Sequence, residues 1–192
     1  NRIDPPGGLI SGFSDLPPMS QQRVLKIGES PFDDLIALEM GEISCWTGLP
    51  GFGKSTLVTW ALPRISQNDG VRMGMIAFET HAYRFRDQLS RIETHKPWSE
   101  INEFQRQELL KDLDRRWRIV HFVEDAGDRN LGWLESMVKT LALRDGCKVV
   151  VIDPWNEREH LPEPGESTTQ YTNFALRFIR RLAKKLEIHI AI

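Results

Sequence analysis

The sequence predicts an α/β domain with a mostly parallel central sheet and helices on both of its faces. Three observations point there. Short apolar, β-branched runs alternate along the chain with longer segments of helical period. The runs are short and largely apolar, as strands buried on both faces of a parallel sheet are. The first run also passes directly into a glycine-rich loop that opens a helix. With 192 residues, 40% of them hydrophobic and 27% charged, the chain fits one ordinary globular domain. Such a length buries a core without disulfides or a structural metal.

Residues 1–30 hold Pro5, Pro6, Pro17 and Pro18 and little periodicity, and read as a linker or arm. The core is expected over 31–192. Its β-rich runs are ISCWT (43–47), MGMIAF (73–78), RIVHFV (118–123), KVVVID (148–153) and EIHIAI (187–192). Helical patterns lie between them at about 54–67, 82–94, 99–116, 131–144 and 170–186. The chain starts without Met and ends on an apolar run with no turn signal after it, so it reads as a domain incomplete at its C-terminal end.

A net charge of −2 gives no global basic field, so any contact with a polyanion has to be local. The polar, Pro- and Gly-rich start is unlike a signal peptide, and runs such as VVVI are far too short to span a bilayer. Cys45 and Cys147 lie far apart, each beside an apolar run. Both read as small core residues, compatible with a reducing compartment.

The segment Gly48-Leu49-Pro50-Gly51-Phe52-Gly53-Lys54-Ser55-Thr56 satisfies the pattern G-x-x-x-x-G-K-[ST] between an expected strand and an expected helix. Glycines let backbone N–H groups turn inward around a phosphate, and the helix N-terminus adds its positive dipole end. Lys54 is expected to reach the β- and γ-phosphates of a nucleoside triphosphate, and the Ser55 hydroxyl to ligate Mg²⁺. Asp153 closes the run KVVVID, where a strand-tip carboxylate can hold the water shell of the same ion. Glu79 closes MGMIAFE and is the candidate to orient or deprotonate an attacking water; Glu124 and Asp125 end another strand and compete for that role. Histidines 81, 95, 121, 160 and 189 show no metal-ligand spacing, and no zinc site is expected. In the last helix, Ala175, Phe178, Ile179, Leu182 and Leu186 form one face, and Arg177, Arg180, Arg181, Lys184 and Lys185 the other. The basic stripe reads as a solvated face.

Four segments, GEISCWTGLPGFGKST, MGMIAFE, VVVIDPWNEREH and ALRFIRRLAKKLEIHIAI, resemble the RecA-like helicase domain of the DnaB family. The likeness is to its Twinkle-like, Toprim-associated primase-helicase branch. The resemblance implies a RecA-like P-loop NTPase fold, ATP or another NTP as substrate with Mg²⁺, single-stranded DNA as partner, and a homo-oligomeric ring, a hexamer. It implies a primase-type domain upstream, no membrane, and a bacterial or phage-infected cytoplasm rather than a mitochondrion. On matching positions, Gly48, Gly53, Lys54, Ser55 and Thr56 form the phosphate loop, Glu79 activates water and Asp153 is the second metal-associated acid. Loop 154–169 corresponds to one that faces the ring channel, yet it holds Glu157, Glu159, Glu163 and Glu166 against Arg158 alone, poor electrostatics for gripping DNA. The family's sensor residue, a later DNA loop and an arginine finger fall beyond Ile192. The isolated chain is therefore expected to bind nucleotide and hydrolyse it slowly, because an in-trans arginine supplies a rate factor on the order of 10³–10⁵. A second reading is a nucleotide-switched oligomer of the same fold, KaiC-like or RadA-like, without unwinding. A third, a small-molecule phosphotransferase, fits the implied strand order less well.

Overall fold

The computed structural model describes residues 23–36, 38–49, 52–78, 82–121, 130–153 and 167–192, apart from the side chains of Ser55 and Thr168. A short antiparallel pair comes first: β1 (Val24–Leu25) lies against β2 (Leu38–Glu39), with the one-turn helix α1 (Phe32–Leu35) between them in sequence. Leu25 and Ile27 are fully buried there, so packed structure reaches back into the segment whose composition reads as an arm.

Five strands follow: β3 (Ile43–Ser44), β4 (Arg72–Ala77), β5 (Trp117–Val120), β6 (Cys147–Asp153) and β7 (His189–Ala191). They form one parallel sheet in the order β3-β7-β6-β4-β5. The connecting helices are α2 (Lys54–Asp69), α3 (Ala82–Thr94), α4 (Glu103–Arg116), α5 (Leu131–Lys139) and α6 (Thr168–Leu186). Each of the five expected runs and helical patterns is present, and the sheet is parallel as the patterning requires.

Side-chain alternation divides the core in two. Met73, Met75 and Ala77 of β4, with Val149 and Val151 of β6, meet Ala61, Leu62 and Ile65 of α2, Phe85 and Leu89 of α3, and Leu109 and Leu113 of α4. The opposite face, Ile76, Val150, Ile152 and Ile190, packs against Leu134 and Val138 of α5 and Ile179, Leu182 and Ala183 of α6. On this second face α5 runs into a π-helical turn, Thr140–Arg144, whose Leu141 sits over β4. A Cβ at position 74 would come within 2.9 Å of Leu141 Cδ1, which explains a glycine in the middle of a buried strand.

Local signals set the helix starts. Asn102 with Gln105 and Ser167 with Gln170 form capping boxes at α4 and α6, and Asn130 caps α5. Cys147 is buried, and burial pushes its thiol up to about 11. Cys45, expected in the core, is exposed instead, because β3 is a two-residue edge strand that ends just before it.

The crossovers place the site. The chain leaves β3 through α2 on one face and leaves β6 for α6 on the other, while β7 separates the two strands. Loops diverging to opposite faces open a crevice at the carboxyl ends of these strands, the usual ligand position in open α/β sheets.

Candidate nucleotide-binding site

Lys54 is the first residue of α2 and sits at the crevice. Gly53 ahead of it has a left-handed backbone with φ of 84°, which a residue carrying a Cβ adopts only under strain. No side chain caps α2, and its first turn holds no acid. Its leading N–H groups and positive dipole end therefore stay open to an anion. The Lys54 ammonium donates to the carbonyl of Gly48 at 2.8 Å and reaches that of Leu49 at 3.5 Å. Gly48 is small for a reason, since a Cβ there would lie 3.3 Å from Lys54 Cγ. Leu49 and Phe52 project into solvent from the same loop, and Thr56 is exposed.

Asp153 ends β6, and its carbonyl accepts the Phe78 N–H at 2.9 Å, tying the tips of β6 and β4 together. Lys54 and Asp153 line one cavity of about 70 Å³, joined by Thr59 of α2 and Gln88 of α3. Its remaining wall is apolar, including Trp46, Phe85 and Trp117. On a scale where roughly 10–15 Å³ holds one water, the cavity has room for several. Burial raises the Asp153 carboxyl above its usual range, and the positive charge of Lys54 acts in the opposite sense. A carboxylate this reluctant to ionise alone is suited to a site completed by a cation.

The structure thus brings together Gly48, Gly53, Lys54 and Asp153, four of the residues singled out by sequence. Pro50, Gly51, Glu79, Glu124, Asp125, His81, the Ser55 hydroxyl and most of loop 154–169 lie outside the described residues. Sequence reasoning passed over Trp46, Thr59, Gln88 and Trp117 as site residues. They converge from β3's end, α2, α3 and β5, and no spacing in the chain announces that meeting.

His189, which shows no metal-ligand spacing in the sequence, has a role in the packing of the sheet. It is buried on β7, with Nδ1 2.8 Å from the Glu39 carbonyl and Nε2 2.9 Å from Ser44 Oγ. Ser44 Oγ in turn accepts the Trp46 indole N–H at 2.8 Å. One proton arrangement satisfies all three contacts: neutral His189 donates through Nδ1, and Nε2 accepts the Ser44 hydroxyl. The network links β7 to β3 and to the cavity wall at Trp46. Burial, the dominant cause, lowers the His189 pKa below its ordinary 6.5. The unfolded chain therefore takes up a proton that the folded one refuses, and stability falls as pH drops below about 6.5, by at most about 1.4 kcal/mol per pH unit. Urea unfolding at pH 7.5 and 5.5 is expected to show this fall, and His189→Gln to remove it from that window.

No family model matches the chain. The protein described as Twinkle homolog protein, chloroplastic/mitochondrial, of Arabidopsis thaliana is 25% identical over 171 residues, which is 85% of this chain and 24% of that protein. The chain therefore spans about a quarter of the length of that relative. Among solved structures, KaiC-like protein PH0186 from the hyperthermophilic archaeon Pyrococcus horikoshii OT3 superposes with a TM-score of 0.58 and 18% identity. That match covers 88% of this chain and 70% of the other, and at this identity it is a likeness of fold.

Proposed function

We propose that the chain, which is similar to a Twinkle homolog and shares the fold of a KaiC-like protein, is the NTP-hydrolysing core of a ring motor. The motor translocates on single-stranded DNA and unwinds duplex in replication. The observation that carries the nucleotide part is the placement of Lys54, at the head of an uncapped helix and sharing one cavity with Asp153. In this reading the loop N–H groups and Lys54 hold the β- and γ-phosphates of ATP or another NTP. Lys54 exchanges its loop carbonyls for phosphate oxygens as the nucleotide enters. Ser55 and Asp153 are the residues that would hold Mg²⁺, Asp153 through water, and the ion neutralises charge on the β- and γ-oxygens when bound. Glu79 accepts the proton of the attacking water. Assembly as a homo-oligomer, a hexamer in this reading, an upstream primase-type domain and a cytoplasmic setting in a bacterial or phage-infected cell belong to the same proposal.

The KaiC-like fold supports a second reading, a nucleotide-switched oligomer that assembles without unwinding DNA. Glu79→Gln separates chemistry from binding in both. The variant is expected to bind Mg²⁺–NTP as the parent does and to lose hydrolysis by about 10²–10⁴-fold. Assayed on a forked duplex, the parent of a motor unwinds it and the variant does not. A parent that assembles with nucleotide and leaves the fork intact is a switch. Full turnover in the variant would remove Glu79 from the mechanism.

A further inference from the structure

The outer face of α6 gathers several cations along one side of the helix. On α3 and α4 four cations answer acids on their own helix: Arg91 with Asp87, Arg106 with Glu103, Lys111 with Glu108 and Arg115 with Asp112. On α6, Arg180 binds Glu42 through both carboxylate oxygens, at 2.9 and 3.2 Å. Arg177, Arg181 and Lys184 form no ion pair among the described residues, and they line an open groove against the Glu42–Arg180 wall. Phe174 lines the same groove and is 52% exposed, an aromatic ring where a purely solvated face carries a polar group. Gln170 and Asn173 add neutral donors at its upper end. At about 1.5 Å per residue the cations from 177 to 184 extend over roughly 10 Å, the reach of a few nucleotides. Cations in a row with one acid, Glu42, among them, an exposed ring and neutral amides beside them suit a flexible polyanion with stacking bases.

We propose that this groove on α6 is a track for the phosphate backbone of a single nucleic-acid strand, with Phe174 stacking on a base. The inference rests on the motor reading and adds to it a contact surface outside the loops. It sits on the helix that joins the Asp153 strand to β7, so a strand lying there bears on the element connecting the two strands nearest the phosphate loop.

Fluorescence anisotropy with a labelled oligo-dT and the full-length protein, over a series of salt concentrations, tests it. Each phosphate neutralised on a single strand contributes about −0.7 to the slope of log K against log salt. The combined variant Arg177→Gln, Arg181→Gln, Lys184→Gln is expected to flatten that slope by about 2. Phe174→Ala is expected to weaken binding about tenfold at unchanged slope, as loss of one stacked base does. A charge-matched control, Arg91→Gln, Lys111→Gln, Arg115→Gln, keeps the parent slope, and unchanged thermal midpoints show that the α6 variants fold. A parent-like slope and affinity in both α6 variants would overturn the groove while leaving the motor reading intact. A parent that binds no single strand would end both. Loss of self-association in the α6 variants, with DNA binding retained, would assign the groove to a neighbouring copy and overturn the proposal.

Discussion

Lys54→Ala is expected to lower NTP hydrolysis about a hundredfold to a thousandfold, the cost of removing one preorganised donor from a developing charge. Among the described residues the ammonium donates to carbonyls of its own loop, Gly48 and Leu49, and to no side chain of the apolar core. Alanine is also the best helix former, and it replaces lysine at the first position of α2 with little change in helix stability. The thermal midpoint should therefore stay within about 2 °C of the parent, given that about 1 kcal/mol moves a domain of this size by roughly 2–4 °C. Hydrolysis and midpoint measured on the same preparation check the prediction. Retained hydrolysis would mean that the phosphates lie elsewhere, and a collapsed midpoint would mean that Lys54 has a structural role not visible in its contacts.

Arg116→Ala reverses that pattern, with large damage to the fold far from the nucleotide. The Arg116 side chain is 9% exposed at the end of α4, where it bonds Glu93 of α3 at 2.8 Å and Asp112 one turn back. Glu93 also accepts from Gln67 of α2 at 2.8 Å, so one guanidinium holds the ends of three helices on one face of the sheet. Burial alone would raise the Asp112 carboxyl; its bonds from Arg116 and Arg115 outweigh that and bring it below the ordinary range. Removing the cation leaves Glu93 with Gln67 and Asp112 with the exposed Arg115 as their remaining partners. Breaking a fully buried pair costs about 3–5 kcal/mol, and the partial exposure of Asp112 brings the expectation to about 2–4 kcal/mol. Urea unfolding measures it. A loss below about 0.5 kcal/mol would place the network among surface pairs that contribute little.

The parts of this structure that sequence makes legible are those in which one strand or one helix carries the whole signal. The runs around Met75, Val150 and Ile190 read as buried strands because they are short and mostly apolar, and the two-sided core shows why. The apolar stripe of α6 read correctly because a helix packed on a sheet must bury a continuous face, and Ala175, Ile179 and Leu182 do so. The strands β1 and β2 left no trace, since two residues are too few to show any period, and Leu25 and Ile27 sit in a stretch whose prolines and polar residues dominate its composition. The site divides in the same way. Asp153 and the glycine-rich loop proposed to hold phosphate stand out in the sequence because a strand-end acid and a glycine pattern are local facts. Gln88, Trp117 and the His189–Ser44–Trp46 network could not, because their meaning lies in which elements the crossovers bring together. The α6 cations were visible as a stripe, but only the folded chain shows which of them find an acid.

The central claim is that nucleotide chemistry at Lys54 is coupled to single-stranded DNA. Steady-state NTP hydrolysis by the full-length protein, titrated with single-stranded DNA and with Lys54→Ala as the blank, tests it most directly. The account predicts strong stimulation by DNA that disappears in the variant. Hydrolysis or binding that depends on Lys54 and ignores DNA at every concentration would contradict it, and would leave a nucleotide switch in place of a motor.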